Sequence, residues 1–566
     1  MYFPQLSTPR QSRVTVSRFL GLDRRPRGQE GSFREMENLC ADGYPALTVR
    51  RPRGVAGSAA SPGGLTVKDG LIWVDGHTLY INGSAAGLAL SEGRKQLISM
   101  GAWLLIWPDK AYINTKDLTD FGSLENKRVT EGEVSFALCR PDGTVYSGYL
   151  AADEAPEEPE AGSLWLDTGG DETALRQYGE DGWTAVDDVC VRMNAAGIGI
   201  GFTAGDGIAV SGCRETDLNG SFPLRSVEDD YVVVTALPRS LSSQSDPVTV
   251  ERSVPDMDYV VESGNRLWGC KYGIVNGQAV NAIYASKLGD FKNWNCYAGL
   301  STDSYAASRG SDGAFTGAAD YLGNPLFFKE NCVERVYPSA SGAHQIVTVQ
   351  CAGVKSGSSG SLRVVDGKLY YHSQGGVCVF DGSMPVHVSQ ALGEMRYHNA
   401  VAGALDGSYY LSAADENGAW HLLVLDTRQG LWYREDGVEA VGFAPWGGDL
   451  YCLTAAGQLL AMKGSGENRE GPVQWLAETG ELGLDAPESR YLVRLSLRLL
   501  PEADSTVRAW VSYDEGGSWQ PAGSLEGAGR VQACTLHIRP RRCRQLRLRL
   551  TGRGGCRIYS LSAVYE

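Results

Sequence analysis

The chain has 566 residues, which is enough for roughly three to four domains with several hydrophobic cores. Its 71 glycines, 23 prolines and 43% hydrophobic residues indicate an ordered, turn-rich β protein and exclude a disordered chain. The formal net charge of −15 argues against simple electrostatic wrapping of nucleic acid, which needs clustered Lys and Arg.

The apolar runs and the opening of the chain predict a protein without a membrane span or a secretory signal. No apolar run approaches the ~20 residues that a spanning helix needs. The opening MYFPQLSTPRQSRVTVSRFLG lacks an apolar core followed by a small-residue cleavage site. The 13 cysteines are scattered singly with no CxxC pair, so we expect buried free thiols in a chain that folds in reducing cytosol.

Residues 1–63 are predicted to form an extended arm or docking segment, with one short helical candidate at residues 31–39 (GSFREMENL). This segment is basic, and its first arginines are Arg10, Arg13, Arg18, Arg24, Arg25 and Arg27. A basic arm can contact DNA or an acidic neighbouring subunit. The alternative interpretation is a solubilising extended segment.

From Gly64 onward a short unit recurs: a strand, a tight turn of the Asp-Gly type, and a second strand. Clear copies begin with LIWVDGHTLYI at residues 71–81 and continue at residues 362–382, 401–426 and 441–463. Alternating apolar and polar residues indicate strands with one buried face, and the turns need residues that accept positive φ. Hairpins recurring every roughly 40–50 residues are typical of β-propeller blades. We predict two blades in residues 64–127 and about five in residues 257–465, about seven in all.

Residues 128–256 interrupt the blade pattern and are predicted to form one or two inserted β-barrel or sandwich modules. They include an acidic, Pro-rich loop (AADEAPEEPEAG) and two small β motifs, the second with turns at Asp206-Gly207 and Asn219-Gly220. Residues 466–566 have longer alternating strands, such as YLVRLSLRLL, with Arg on the outward positions. That pattern predicts a C-terminal antiparallel β-sandwich, jelly-roll-like. The fold class is therefore all-β.

The C-terminal region also contains an Asp-box pattern, S-x-D-x-G-x-[ST]-W. Its residues are Ser512, Asp514, Gly516, Ser518 and Trp519. In such a hairpin the Asp accepts turn hydrogen bonds, the Gly supplies the backbone angle and the Trp folds back onto the turn. The motif recurs in sialidases, away from their catalytic sites, so we interpret it as structural.

Motifs of catalysis or metal binding are not found in the sequence. The histidines have no HExxH or other metal-ligand spacing, and no G-x-S-x-G elbow joins a strand to a helix. Residues 167–172 (DTGGDE) do not match a calcium loop, and Ser356–Ser361 (SGSSGS) lacks the ending of a phosphate-binding loop. Asp426, Glu330 and Glu334 are carboxylates that a cleft would have to bring together before hydrolysis could be argued. We expect no enzyme activity and no cofactor.

Several segments together resemble structural proteins of tailed bacteriophages and prophages. The stretch FLGLDRRPRGQEGSFREMENLCADGYPALTVRRPRG resembles the opening of such proteins. The run NRLWGCKYG…IYASKLGDFKNW…YLGNPLFFKENCVERVYP resembles the propeller of tail hub, nozzle and stabilisation proteins, and LWLDTGG…GW resembles modules of tail proteins. The resemblance covers nearly the whole chain, and none of its motifs is catalytic.

The resemblance implies a virion subunit of the tail, assembled in the host bacterial cytoplasm as a homo-oligomeric ring below the portal, with six copies expected. Its implied partners are other tail and portal-adaptor proteins and, transiently, the phage DNA during ejection. A negative lumen would repel DNA phosphates. Two alternatives stay open: a tail adhesin that binds a host-surface glycan, and a sialidase-like hydrolase.

Overall fold

The computed structural model describes residues 11–26, 28–170, 172–297, 299–466, 468–482, 490–513, 518–539, 541–543 and 545–566. The chain divides into two compact units. Unit 1 comprises Met1–Lys95, Phe327–Glu334 and Val349–Glu566, and unit 2 comprises Gln96–Leu326 and Arg335–Thr348. Each unit is built almost wholly from antiparallel strands, so the all-β prediction is confirmed. Among the described residues, no helix has the length and apolarity needed to cross a membrane.

The described part of the first 58 residues contains five strands: β1 (Ser12–Val16), β2 (Phe33–Glu37), β3 (Leu39–Cys40), β4 (Leu47–Val49) and β5 (Gly54–Ser58). The helix predicted at residues 31–39 is therefore wrong, because its centre is strand β2. Arg, Glu and Met favour a helix locally, but pairing with a distant strand overrides that weak preference.

Blade-like sheets follow in chain order, and in all but the last of them four strands pair in sequence. The first is β6 (Pro62–Val67), β7 (Leu71–Asp75), β8 (Thr78–Ile81) and β9 (Ser84–Ala89), in unit 1. The second is β10 (Gln96–Met100), β11 (Trp103–Trp107), β12 (Ala111–Asn114) and β13 (Asp117–Ser123), in unit 2.

The insertion follows the second sheet, in unit 2, and forms two sheets around one core. Its strands are β14 (Asn126–Val129), β15 (Ser135–Cys139), β16 (Leu150–Ala152), β17 (Leu164–Asp167), β18 (Ala174–Gly179), β19 (Gly182–Ala185), β20 (Cys190–Asn194), β21 (Gly207–Ser211), β22 (Gly220–Glu228), β23 (Tyr231–Val234) and β24 (Thr249–Arg252). A seven-stranded sheet has the order β14-β24-β21-β22-β23-β20-β15, and β16–β19 form a separate four-stranded sheet. Leu166 and Leu175 of the smaller sheet pack into the same core as Val191 and Val232 of the larger one.

After the insertion come β25 (Tyr259–Ser263), β26 (Arg266–Val275), β27 (Gln278–Ala285) and β28 (Tyr305–Ser308), which form a blade-like sheet in unit 2. Its first strand, β25, packs against β10 of the preceding sheet. The strands β29 (Gly317–Tyr321), β30 (Asn324–Phe328), β31 (Cys332–Tyr337) and β32 (Gln345–Gln350) follow, and the boundary between the units passes through them.

Three more sheets complete the blade series in unit 1. They are β33–β36 (Arg363–Val365, Lys368–Ser373, Gly376–Phe380, Val386–His387), β37–β40 (Tyr397–Leu405, Ser408–Asp415, Trp420–Asp426, Leu431–Glu435) and β41–β44 (Ala440–Trp446, Asp449–Thr454, Gln458–Ala461, Asn468–Arg469). First strands pack side by side in the order β33, β37, β41 and β6. In the last sheet β5 inserts between β43 and β44, so the N-terminal segment supplies its fourth strand. The total of about seven blades stays a prediction.

The turns within the blades have the backbone angles that their sequences predicted. Asp366 and Gly367, between β33 and β34, have φ of 45° and 76°, and Asp406 and Gly407, between β37 and β38, have 50° and 77°. Two successive positive φ values define the tight turn whose twist matches paired strands, and Asp-Gly is among its preferred sequences.

The C-terminal sandwich is confirmed and belongs to unit 1. Its own strands are β45 (Gln474–Thr479), β46 (Arg490–Pro501), β47 (Thr506–Tyr513), β48 (Gln520–Glu526), β49 (Gln532–Thr535), β50 (Arg541–Cys543), β51 (Leu546–Arg553) and β52 (Cys556–Tyr565). One sheet contains β3-β4-β52-β46-β49 with β1 on β52 and β50 on β46; the other has the order β2-β45-β51-β47-β48. Buried Leu546, Leu548 and Leu550 alternate with half-buried arginines, as the pattern predicted.

Residues 1–63 are predicted to be an extended arm or a docking segment, and for the described residues the extended arm is wrong. β1 and β4 pair with β52, β2 pairs with β45, and β5 pairs with β43. The segment also packs against the blade β37–β40, because β2 and β3 both lie against β40. One hydrophobic core unites the segment, the three blades β33–β36, β37–β40 and β41–β44, and the sandwich.

Candidate functional site

The first candidate site is a buried ion cluster where the N-terminal segment meets the blade β37–β40. Arg53 Nη2 lies 2.7 Å from Glu435 Oε2 and 2.9 Å from Asp436 Oδ1. Arg50 contacts Asp436 through Nη2 at 3.0 Å and also pairs with Glu470. The two arginine side chains are 5% exposed, so water screens these charges little.

The electrostatics of this cluster favour the charged state. Burial alone would lower the pKa of Arg53, but the carboxylates of Glu435 and Asp436 outweigh it, and the pKa is raised. Asn38 completes the cluster, because its side-chain oxygen accepts from Arg50 Nε at 2.7 Å and from the Asp436 backbone N–H at 2.9 Å. Asn38 itself has a φ of 60°, a conformation that Asn tolerates better than most residues. The cluster locks the segment to the blade.

A second set of ion pairs continues along the same junction. Arg434 of β40 contacts Glu37 of β2 at 2.8 Å and Glu35 at 3.4 Å. Arg24 contacts Glu35 at 2.9 Å, and its Nη1 lies 3.5 Å from the Tyr397 hydroxyl. The acidic partners of these basic residues therefore lie in the same chain.

The predicted basic arm has a different outcome for each arginine. Arg10 and Arg27 lie outside the described residues. Arg24 and Arg25 are engaged in ion pairs, the latter with Asp23 at 2.7 Å. Partial burial would raise the pKa of Asp23, but hydrogen bonds from Arg25 outweigh it and lower the pKa. Arg13 is exposed on β1, and Arg18 is exposed with its guanidinium over the Tyr44 ring.

The second candidate site is a cavity of about 760 Å³ at the end of the blades β33–β36 and β37–β40. Its floor includes the buried His372 and Tyr397, and its rim carries the exposed Gln374, Glu394 and Arg396. A volume in this range suits a small ligand. Further lining groups are His387, Ser389 and Gln390.

Local turns shape this cavity. Gly376 has a φ of 116°, and a Cβ there would collide with the Ser389 hydroxyl. At Gly375 a Cβ would lie 2.7 Å from the His387 ring. The Ser389 hydroxyl accepts from the Val377 backbone N–H at 2.9 Å. These glycines let the β34–β35 turn approach the connection that follows β36.

His372 is held neutral at the base of this cavity. Its Nδ1 lies 3.1 Å from the Ser358 hydroxyl, and its backbone N–H donates to the Ser361 hydroxyl at 3.0 Å. Burial, together with the nearby Lys355 and His398, lowers the pKa of His372 to about 4. The cavity therefore combines a neutral imidazole, hydroxyls and amides with Glu394 and Arg396 on its rim, which are groups that hydrogen-bond a polar ligand. Among the described residues that line it, Glu394 is the one carboxylate, whereas glycoside hydrolysis uses a pair.

A third concavity, of about 390 Å³, lies where residues 39–42 cover the blades β37–β40 and β41–β44. Lys463 Nζ is 3.6 Å from Asp42 Oδ1 there. Burial would lower the pKa of Lys463, but the interactions with Tyr410 and Asp42 outweigh the effect of burial and raise the pKa. Burial raises the pKa of the Cys40 thiol to about 12, so this cysteine is a weak nucleophile.

The Asp-box residues are described in part. Asp514 and Gly516 lie outside the described residues, and Ser512 is buried at the end of β47. Ser518 is exposed, and the ring of Trp519 stacks against Arg549 at 4.1 Å and Arg547 at 5.3 Å. The structural role of this motif stays a prediction.

Of the three carboxylates weighed for hydrolysis, two hold turns and the third is buried in a strand. Asp426 accepts the backbone N–H groups of Arg428 and Gln429 at 2.9 and 3.0 Å. Glu330 accepts from the Ser356 N–H at 3.0 Å and from the Gln374 amide at 2.9 Å. Glu334 is fully buried in β31. Within the described ranges, no group of three or more His, Cys, Asp or Glu side chains is arranged to hold a metal ion.

Comparisons with known proteins give no family. No family model matches the chain, and no curated protein matches it. Among solved structures it is similar to PorZ, a surface component of the type-IX secretion system of Porphyromonas gingivalis, at 12% identity over 88% of this chain and 82% of that one, with a TM-score of 0.27. It is also similar to the phage phi92 endosialidase, at 9% identity over 75% of this chain and 68% of that one, with a TM-score of 0.24. An exo-β-1,3-galactanase of Phanerochaete chrysosporium is similar at 8% identity over 54% of this chain and 94% of that one, with a TM-score of 0.22. TM-scores this low carry no argument about function, and the fold assignment rests on the strands of the chain itself.

Proposed function

We propose that this chain is a structural subunit of a bacteriophage tail, in the hub, nozzle or adaptor ring below the portal. The observation that carries the proposal is the interlocking of the chain's N-terminal segment with its C-terminal sandwich. β1, β2 and β4 pair with strands more than 400 residues away, and β5 completes a blade. A subunit that transmits force during assembly and ejection needs such a unit, because it cannot open from either end without breaking paired strands.

The resemblance of the sequence to tail proteins supports a place in the tail. The proposed assembly is a ring of about six copies, built in the host cytoplasm, that touches other tail or portal-adaptor proteins. Head-to-tail contacts that close a ring need two complementary surfaces on one subunit. The net charge of −15 suits a conduit, because negative walls repel the phosphates of passing DNA.

Disrupting the gene in the phage or prophage that carries it tests this role. We expect packaged heads without functional tails, and rescue when the intact chain is supplied in trans. Normal tails and undiminished infectivity in the disrupted strain would contradict the proposal. A block before DNA packaging would also contradict it, since the tail is assembled onto the portal.

A second function, binding of a host-surface glycan, is favoured by the cavity lined by His372 and Tyr397. Its neutral imidazole, hydroxyls and amides suit the hydroxyl groups of a sugar. Titration of the purified single chain with host cell-wall polysaccharide separates the two functions. A tail adhesin would bind as a lone subunit and lose at least about tenfold in affinity on R396A, whose side chain is on the rim. A purely structural subunit would show no binding.

A further inference from the structure

Two cysteines face each other across neighbouring strands of the inserted module. β15 and β20 pair antiparallel from Ser135↔Asn194 through to Cys139↔Cys190, so the two cysteines are direct register partners. Because directly opposed residues share one face of a sheet, both side chains point to the same side. Both are buried, in a small apolar cluster with Val233.

The spacing of this pair suits a disulfide. Opposed residues in an antiparallel ladder have Cα atoms about 4.5–5.5 Å apart. A disulfide spans Cα separations of about 4.4–6.8 Å. Both thiols are free in the structure. The register therefore places the two residues within the range of Cα separations that a disulfide spans.

The two cysteines lie at the two ends of the segment that forms the smaller sheet of the module. Cys139 is the last residue of β15 and Cys190 is the first of β20. The chain between them, residues 140–189, leaves the seven-stranded sheet and forms the four-stranded sheet β16–β19. A disulfide between Cys139 and Cys190 would join the two ends of the segment 140–189 and restrict the conformations of that segment in the unfolded state.

We propose that Cys139 and Cys190 are a redox pair that forms a disulfide when the protein meets an oxidising medium. The oxidant is a low-molecular-weight disulfide. One cysteine thiolate attacks it and releases one thiol, and the second cysteine thiolate then displaces the other thiol from the mixed disulfide. Two protons and two electrons leave the pair, and one disulfide becomes two thiols. The inference is independent of the phage assignment.

The environment of the pair predicts slow formation. Burial, with the neighbouring Cys190, raises the pKa of the Cys139 thiol to about 12, and burial also raises that of Cys190. Thiolate is therefore rare at neutral pH, and oxidation should quicken as pH rises. Cys139 and Cys190 are buried, so the reagent can reach them only when this end of the ladder opens locally, which also slows the reaction.

Peptide mapping of the full-length chain by mass spectrometry tests the proposal. The chain is incubated with oxidised glutathione at pH 8.5, with dithiothreitol as the reduced reference. We expect a cross-linked peptide pair containing Cys139 and Cys190, lost on C139A and on C190A. The matched control is C213A, which removes another buried cysteine of the same module and should leave the cross-link intact.

A second measurement is the rate of proteolysis within the segment 140–189. Limited proteolysis within residues 140–189 should be about tenfold or more slower in the oxidised chain than in the reduced one. This difference should vanish in C190A and persist in C213A. Glutathione left as a mixed disulfide on either cysteine, thiols that stay reduced after refolding in the oxidised buffer, or a cross-link to another cysteine would overturn the proposal.

Discussion

Arg53 is buried in unit 1 as a cation because the buried Glu435 carboxylate and the partly exposed Asp436 carboxylate both contact its guanidinium. Removing one member of a buried ion pair leaves an uncompensated charge, which costs more than the pair contributes. Substituting a member of the cluster therefore tests whether these ion pairs hold the N-terminal segment against the blade.

The variant R53M should destabilise the protein by about 3–5 kcal/mol, because it leaves Glu435 buried with reduced compensation. The double variant with E435L should recover part of that loss, since both charges are then gone. Urea unfolding followed by tryptophan fluorescence measures both. The control is R51Q at an exposed neighbouring position, expected within about 0.5 kcal/mol of the native chain. A loss for R53M no larger than that of the control would contradict this account.

His372 makes stability depend on pH. Its pKa is lowered to about 4 in the folded state by burial, against about 6.5 in the unfolded chain. Between pH 4 and pH 6.5 the unfolded state therefore binds more protons than the folded state. The contribution of neutral His372 to the free energy of unfolding is complete above pH 6.5 and is lost as the pH falls toward 4. The loss is about 3 kcal/mol.

Unfolding measured at several pH values between 4 and 7.5 checks this prediction. H372Q should flatten the slope over that window, whereas H77Q, at an exposed histidine, should leave it unchanged. An equal slope in H372Q and the native chain would show that another group is responsible.

At the scale of single strands, β5 shows how the sequence pattern succeeds and where it stops. Alternating residues and Asp-Gly turns are local, so hairpins such as β33–β34 were predicted from the sequence. β5 pairs with β43, some 400 residues further along the chain, and no local pattern encodes that partner. For the same reason the local pattern predicts a helix at residues 31–39, although pairing with β45 makes β2 a strand.

The same limit applied to the candidate sites. The basic character of residues 10–53 can be read from the sequence. The acidic partners Glu435, Asp436 and Glu470 cannot, because they lie far along the chain and only the fold brings them together with the arginines. Arg50 and Arg53 are consequently cluster residues rather than parts of a free arm. The cavity at His372 was missed as well, since its lining comes from several turns and no motif joins them.

Two glycines of β5 provide a matched pair of substitutions. A Cβ at Gly54 would collide with the Ser465 backbone carbonyl, whereas a Cβ at Gly57 would only contact the Leu459 side chain at 3.7 Å. G54A should therefore destabilise by about 1–3 kcal/mol through overpacking, and G57A should be neutral or stabilising by up to about 1 kcal/mol.

Thermal unfolding and hydrogen exchange of the β43 amides distinguish the two substitutions. Loss of protection in β43 is expected for G54A alone. If both variants behave alike, β5 does not close this sheet as tightly as its pairing indicates.

At the scale of the whole molecule, the ring proposal needs a surface by which copies meet. The hairpin β26–β27 extends beyond its flanking strands, because β25 pairs only with residues 266–270 and β28 only with residues 282–285. Ile274 near its tip is 72% exposed and Tyr272 is 40% exposed. Exposed apolar residues on a projecting hairpin are suited to burial against another subunit.

The variant I274E should shift the assembled protein to monomer without lowering its melting temperature, because the residue makes few contacts within the chain. Mass photometry measures the change. The control is V531E, at another exposed apolar residue, on the sandwich, and should leave assembly unchanged. Full assembly of I274E would exclude the hairpin as a subunit contact.

The central claim is that the chain is a component of the virion tail. The most direct measurement is cryo-electron microscopy of particles purified from the host that encodes it, with gold-labelled antibody against the C-terminal sandwich. We predict label on the tail below the portal, and density for about six copies around the tail axis. Particles that carry neither the label nor the peptides of this chain by mass spectrometry would contradict the claim.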